Sequence, residues 1–511
     1  MMKALFLSIL ALLPAAASAQ RDTLGVLERS SVFSAEDERA VAGFHTESPA
    51  MMLYRSEQSL SQISLRIDLR REQEALLQPL GDGGFDGGFY AESYRRLSER
   101  SATWADARYV RGNRRNVCWN STADYLLLYP CITADSAGGN LSTEEYAFGG
   151  GYVHRVGRFD LAIRGDYRAG QEYRQVDPRP HNVVSDFTIK LGVGMQFPQY
   201  VLGLDLQGRL YKQDQDIDFF YPPGASSSEL YMTGLGSYYT RYSLNSESFN
   251  IGYDGKGCLL AAQLMPRHAK GWYARAAFES LTTERLNKSN NTVPITRLKT
   301  RQATLSAAYR SGRWSLRAGG GYELRRSIEM IADRTGHSVI VDEQAMYKNR
   351  IWHADAEATV EWRRGTVNYM LSPRAEWRQS TATYAYPVRR MRRSGTRQRR
   401  MAPSAVARES DGRNRLLRLA RRGGFAQQRA EQHFGIPDLH GGAAERPGRR
   451  PRGVPAGRTP PEPESGLLRR GGVDAPVLQR RIVRTRSDGD VRHPVLNDRT
   501  NICQTNNKNQ L

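Results

Sequence analysis

Past its first twenty residues the chain lacks any apolar run of eighteen or more, so no stretch can cross a membrane as a helix. Cysteine is scarce, at four, and no CxxC, HExxH or Cys/His cluster with metal-ligand spacing occurs. No metal or cofactor motif is therefore expected. Tyr and Trp are missing from the last quarter: all 25 Tyr and all seven Trp precede residue 387. Acidic residues are thin there as well, 11 against 27 Arg and one Lys, a net of +17. The whole chain carries +21, so residues 1–386 hold only +4. The basicity is local, and it lies where Tyr and Trp are lacking to stack on bases, which excludes a folded nucleic-acid-binding surface.

What is present begins with an export address. Met1-Met2-Lys3 gives a short positive start, residues 4–16 an apolar stretch broken by Pro14, and Ala17-Ser18-Ala19 a small-x-small cleavage site. Cleavage between Ala19 and Gln20 is expected, and the run is too short for a membrane anchor. In an exported chain disulfides persist. Cys118 and Cys131, bracketing CWNSTADYLLLYPC, are a candidate bridge. It would stabilise by ~3 kcal/mol in the chain-entropy model; two unpaired thiols are the alternative.

Mean hydropathy is low, −0.60. A transmembrane β-barrel shows this because only alternate residues of each strand meet lipid. Period-two patterning supports such a barrel. Phe187, Ile189, Leu191, Val193, Met195 and Phe197 alternate with polar or small residues, and Tyr200, Leu202, Leu204 and Leu206 resume the pattern beyond Pro198-Gln199. Folding there pairs Met195 with Leu202, Val193 with Leu204 and Lys190 with Gln207. A slip of one residue would set every apolar side chain against a polar one. Three more hairpins follow the same rule. Turns at Val156-Gly157, Ser311-Gly312 and Arg364-Gly365 pair Tyr152 with Leu161, Tyr309 with Trp314 and Trp362 with Val367. The last also sets Asp355 beside Arg374 and His353 beside Glu376.

Tight turns alternate with longer polar connections at 169–182, 211–228 and 326–348, the rim asymmetry of outer-membrane barrels. Aromatics near strand ends, among them Tyr152, Phe197, Tyr309, Trp314, Trp352, Trp362 and Trp377, would form interfacial girdles. Weaker strands fit at 60–70, 88–97, 103–111, 231–240, 258–265, 272–280 and 295–301. An all-β, antiparallel transmembrane barrel of about twelve to sixteen strands before residue 386 is the expectation. A soluble sandwich, which also alternates, would want larger residues on its inner face than the Ala and Gly found here. Pro373 interrupts one proposed strand, implying a bulge or a shorter strand.

The runs Asp124-Tyr125, Tyr129-Pro130, Gly138-Gly139 and Glu144 to Tyr152 (EEYAFGGGY), then Tyr173-Arg174, Asp177-Pro178-Arg179-Pro180, Asn182 and Asp186, carry a resemblance. Over roughly residues 30–386 the chain resembles an uncharacterised family of outer-membrane β-barrels of Bacteroides-type bacteria. The resemblance implies fold, an outer-membrane location, lipid contact and insertion by barrel-assembly machinery. It implies no activity. Barrels of that kind end in an amphipathic strand with a final aromatic, whereas Arg, Pro, Gly and Ala take over here after Tyr386-Pro387. A disordered basic tail or the product of a shifted reading frame would each give this composition. The chain thus divides into a signal peptide (1–19), an N-terminal segment (20–48), a barrel (49–386) and a disordered basic tail (387–511).

No catalytic set stands out, and an enzyme is not expected. His337-Ser338 and His353 with Asp355 are the nearest approach to one. Residues 81–88 (GDGGFDGG) match no phosphate- or calcium-loop spacing and read as a strand-edge turn. The polar faces place Arg164, Asp166, Lys190, Asp205, Arg209, Arg317, Glu323, Asp355 and Arg374 in the lumen, where they either select a polar solute or brace the wall. Three functions remain open: a pore for polar solutes, a surface-binding or secretion-accessory barrel, and an outer-membrane hydrolase.

Overall fold

The computed structural model describes residue 33 and residues 39–219, 229–239, 248–268, 270–288, 292–332, 340–364, 367–400 and 404–407. The signal peptide, its Ala19/Gln20 cleavage site and His337-Ser338 lie outside the described residues.

One large antiparallel sheet dominates, with neighbours in chain order: β1 (Leu60–Arg71), β2 (Gly83–Ser98), β3 (Ser101–Val117), β5 (Gly139–Val156), β6 (Phe159–Tyr173), β7 (Arg179–Gln196), β8 (Tyr200–Asp218), β11 (Ser248–Pro266), β12 (Gly271–Asn287), β13 (Val293–Ser311), β14 (Trp314–Ala332) and β15 (Ile340–Arg364). Both β16 (Val367–Leu371) and β17 (Pro373–Tyr384) lie along β15 in one register, from Arg364↔Val367 to Tyr347↔Tyr384. They are one strand interrupted at Ser372-Pro373, where proline has no N–H for the ladder. Among the described residues no ladder joins β1 to the last strands, so the sheet keeps two edges.

The alternation sorts two environments. Leu191, Val193, Leu204, Leu206, Leu305, Leu316 and Val360 point outward and stay 42–65% exposed. A compact soluble core would bury such side chains; a lipid-facing wall leaves them bare. The strands are longer than the ~10 residues a tilted crossing needs. β8, at 19 residues, carries Leu202 to Leu210 on its outer face and then Lys212, Asp214, Asp216 and Asp218, so its upper half stands clear of the membrane. Much of the expected loops 169–182, 211–228 and 326–348 is therefore strand. Rings gather at both depths of the belt: Trp272, Tyr309 and Trp314 pack at 4.9 and 5.6 Å, and Tyr322 with Trp352 at 4.6 Å.

The β7–β8 hairpin has the expected pairs, Met195↔Leu202, Val193↔Leu204 and Lys190↔Gln207. Three other hairpins are displaced by two residues. Tyr152 pairs Ile163, Tyr309 pairs Leu316 and Trp362 pairs Tyr369; Asp355 faces Glu376 and His353 faces Arg378. The displacement preserves faces but changes partners, and its cause is the turn. Gly157 (φ 60°) and Gly312 (φ 51°) stand first in their two-residue loops, and the following Arg158 and Arg313 do not share the positive φ. This is the II′ pattern, with glycine leading, not trailing.

Three boundaries move. Residues 39–56 are inside the barrel, and its wall starts at Leu60, not at 49. Residues 231–239 join an inner three-stranded sheet, β10 (Ser237–Tyr239), β9 (Leu230–Gly234) and β4 (Thr133–Ala134), and not the wall. The sheet also continues past residue 386. β18 (Arg389–Arg400) pairs β17 from Tyr384↔Arg389 to Pro373↔Arg400, and β19 (Ser404–Ala407) pairs β16. The start of the expected disordered tail is thus strand, because four residues, 385–388, suffice to turn the chain back along β17. Residues 408–511 lie outside the described residues.

Candidate functional site

The candidate site is the lumen, and two pieces of the chain fill it. From the short-turn end enters a plug, residues 39–56, with a single helical turn α1 (Ala42–Thr46) and a 3₁₀ turn (Pro49–Tyr54). Ala50, Met51, Met52 and Leu53 are buried against Val153, Ala162, Val201 and Met265 of the wall. The wall makes room for it with glycine: a Cβ at Gly203 would sit 2.4 Å from Met51 Cε. Polar links fix the plug on several sides. Arg39 Nε reaches Glu361 at 2.6 Å, Ser48 Oγ donates to Asp205 at 2.6 Å, Lys190 Nζ donates to the Glu47 carbonyl at 3.0 Å, and Tyr54 Oη donates to Asp160 at 2.5 Å.

From the opposite rim two loops fold inward as a lid. Loop 118–138 contributes α2 (Tyr125–Leu128) and β4, and β9 meets β4 through Thr133↔Tyr231 and Ala134↔Leu230. Leu128, Ile132 and Tyr231 bury against Tyr211, Ile217, Tyr253 and Ile295 of the wall. Asp124 accepts Arg168 Nη2 at 2.5 Å and Tyr211 Oη at 3.0 Å. Arg285, 1% exposed, donates from one nitrogen to the carbonyls of Ile132 and Met232, tying both loops to the wall.

Cys131 belongs to this lid. It is a free, buried thiol with Sγ 3.0 Å from Ser327 Oγ, so the expected Cys118–Cys131 bridge is not formed. The contact with Ser327 sets its side chain against β14.

The charges picked out from the sequence lie on the rows that alternate with the exposed apolar ones, mostly in pairs the sequence had not matched. Arg164 bridges Asp106 at 2.6 Å and Asp166 at 2.5 Å. Arg317 lies 3.3 Å from Asp355, Arg209 2.8 Å from Asp186, and Arg374 2.8 Å from Glu376. Asp205 takes Arg275 at 3.0 Å, and Glu323 takes Arg325. Paired in this way, the charges brace the wall and leave no strong excess of one sign. His353 shares its face with Asp355 and faces Arg378 across the ladder, so no nucleophile stands beside it there. Among the described residues no three His, Cys, Asp or Glu gather as metal ligands.

Residues 49–426 match the model of a family described as a family of unknown function (DUF6850). The chain belongs to this family. The match runs 40 residues past the boundary drawn at 386 and takes in β18 and β19. No curated protein matches. Among solved structures the chain is similar to the ferric citrate transporter FecA in its unliganded form, at 12% identity over 63% of this chain and 55% of that one, TM-score 0.33. It is also similar to a FadL homologue of Pseudomonas aeruginosa (12%, 71% and 94%, TM-score 0.35) and to the CymD monoaromatic hydrocarbon channel (10%, 68% and 89%, TM-score 0.31). The chain thus spans about half the length of the ferric citrate transporter.

One lid group titrates far from its usual range. Glu229, just before β9, is fully buried and neither carboxylate oxygen has a hydrogen-bond partner. Burial, and then the neighbouring Asp135, push its carboxyl up to about 8 against the opposing pull of Arg174. The docked lid holds this proton more tightly than an undocked one. Docking is therefore strongest below about pH 4.5, weakens as pH climbs to about 8, and is flat above. Hydrogen exchange of the β4 and β9 amides, corrected for intrinsic rates, should show less protection at pH 8 than at pH 5. Glu229→Gln should flatten that difference; an unchanged pH dependence in the variant would contradict the assignment.

Proposed function

We propose that the chain is an outer-membrane barrel of a Gram-negative, Bacteroides-type bacterium that passes a polar solute through a lumen closed at rest by its own plug and lid. One observation carries the reading: a charge-lined interior is obstructed at both ends by segments held through discrete polar contacts. A structural filler would be expected to rest on apolar packing alone. Contacts such as Asp124 with Arg168 and Tyr211 are polar and directional, so they hold the lid at defined points. Lipid and barrel-assembly machinery are the partners this location implies. In planar bilayers the reconstituted full chain should be nearly silent, and Asp124→Ala should raise the time spent open at least tenfold. If both stay silent, passage is the wrong reading. Surface binding or secretion support then takes its place, and a hydrolase would need an activity that His353→Ala abolishes.

A second reading concerns the C-terminal strands. The register sets Thr396, Gln398 and Arg400 opposite Trp377, Ala375 and Pro373, at belt depth. A reading frame shifted past residue 426, where the family match ends, accounts for the Arg/Pro/Gly/Ala composition beyond it. Sequencing the gene there should reveal a one-base change that restores alternating strands; if no frame does so, the reading fails.

A further inference from the structure

The outward face carries charges of its own, and on one side they share a sign. Beyond the upper rings Tyr322 and Trp352, toward the long-loop rim, three neighbouring strands turn cationic. β13 presents Lys299 and Arg301, β14 presents Arg326, and β15 presents Lys348 and Arg350. The ladder gathers them. Lys299 stands opposite Arg326 and Arg326 opposite Lys348, while Arg301 and Arg350 flank Leu324 from its two sides. Strands ~4.8 Å apart, with outward residues ~7 Å apart along each, make this a patch of about 10 by 7 Å at the backbone. The three arginines are exposed and the two lysines half-buried.

Like charges opposed across a ladder repel. On the inner face the wall meets such charges with carboxylates, as Arg164 and Arg209 show. On the outer face it does not. Among the described residues none of the five pairs with a carboxylate, and Glu284 and Glu343, farther toward the rim, are both taken by Arg297, at 2.7 and 3.1 Å. The patch is also one-sided: past Leu210 the outward residues of β8 are Lys212, then Asp214, Asp216 and Asp218.

We propose that this patch docks the phosphate-bearing headgroup of a lipid in the outer leaflet. Phosphate takes two parallel, charge-assisted hydrogen bonds from a guanidinium, and three of the five cations are arginines. The position fits as well as the charge. Ring rows mark the headgroup level of a membrane wall, and the long-loop rim is the outer one. Below the patch the same face continues apolar, with Leu305 65%, Leu316 50% and Trp352 51% exposed. The acyl chains of the docked molecule lie along that wall while its phosphate meets the arginines. This goes beyond the passage reading and does not rest on it; it needs only the barrel's place in the outer membrane.

The test uses the full chain with Trp352, beside Arg350, as its only tryptophan, refolded into phosphatidylcholine vesicles. Either brominated phosphatidic acid or brominated phosphatidylcholine is added at rising mole fraction. Half-quenching of Trp352 should need at least about fivefold less of the phosphatidic acid. Combining Arg301→Gln, Arg326→Gln and Arg350→Gln should bring the two lipids level. A chain whose only tryptophan comes from Leu210→Trp, across the barrel, should show no preference. Inorganic phosphate should displace the lipid no better than chloride at equal ionic strength. Heat-modifiable gel mobility checks that each variant is folded. Equal quenching by the two lipids at Trp352, or a preference that survives the triple substitution, overturns the proposal. So does an equal preference at position 210, which marks general attraction to anionic lipid, or selective displacement by phosphate, which marks a site for the free ion.

Discussion

Inside a bilayer nothing but the chain itself can satisfy a backbone N–H or C=O, and every other feature of this protein follows from that constraint. A sheet meets it by pairing each strand on both sides. Pairing in turn fixes side-chain direction, so one face of β7 and β8 carries Ile189, Leu191, Val193, Leu204 and Leu206 into lipid while the other carries Lys190, Asp205 and Gln207 inward. A two-residue displacement of a hairpin is tolerable because faces survive it, and a one-residue slip is not. Among the described residues two edges stay unpaired, β1 and the β18/β19 strand, and the same constraint makes them the weakest part of the sheet. β1 leaves Ile63, Leu65 and Ile67 69–80% exposed beside that edge.

The inward face has the opposite problem. Half of every strand delivers polar groups to a narrow, partly dry interior, where an unpaired charge costs far more than at a surface. The solution is a lattice of short ion pairs across neighbouring strands, such as Arg164 with Asp106 and Asp166, and Arg209 with Asp186. Plug and lid use the remainder of that lattice as anchoring points. Lys190, Asp205 and Glu361 hold the plug; Arg168, Arg285 and Arg325 hold the lid. Bracing the wall and closing the lumen are therefore done by one lattice of inward-facing polar residues.

Alternation was legible from sequence because it is local and has a fixed period, so the wall strands and the inward direction of Arg164, Lys190, Asp205 and Glu323 could be read directly. Ion-pair partners could not, since Arg317 with Asp355 depends on the register of β14 against β15, which no tight turn between them sets. The plug and lid leave no periodic trace at all. Thr133 meets Tyr231 across almost a hundred residues, and residues 39–56 look like an ordinary leader until the wall closes around them. Cys131 misled for a related reason: spacing suggested a bridge, and the thiol is set against Ser327 instead. The boundary at 386 failed because composition changes there while hydrogen-bond pairing does not.

The central claim is that consecutive residues of one strand face lipid and a filled lumen in turn. Tryptophan placed singly at positions 202 to 207 of a background lacking the seven native tryptophans, in vesicles of brominated lipid, tests it most directly. Strong quenching at 202, 204 and 206 with weak quenching at 203, 205 and 207 is the predicted result. Uniform quenching, or uniform protection, along the six positions would contradict it.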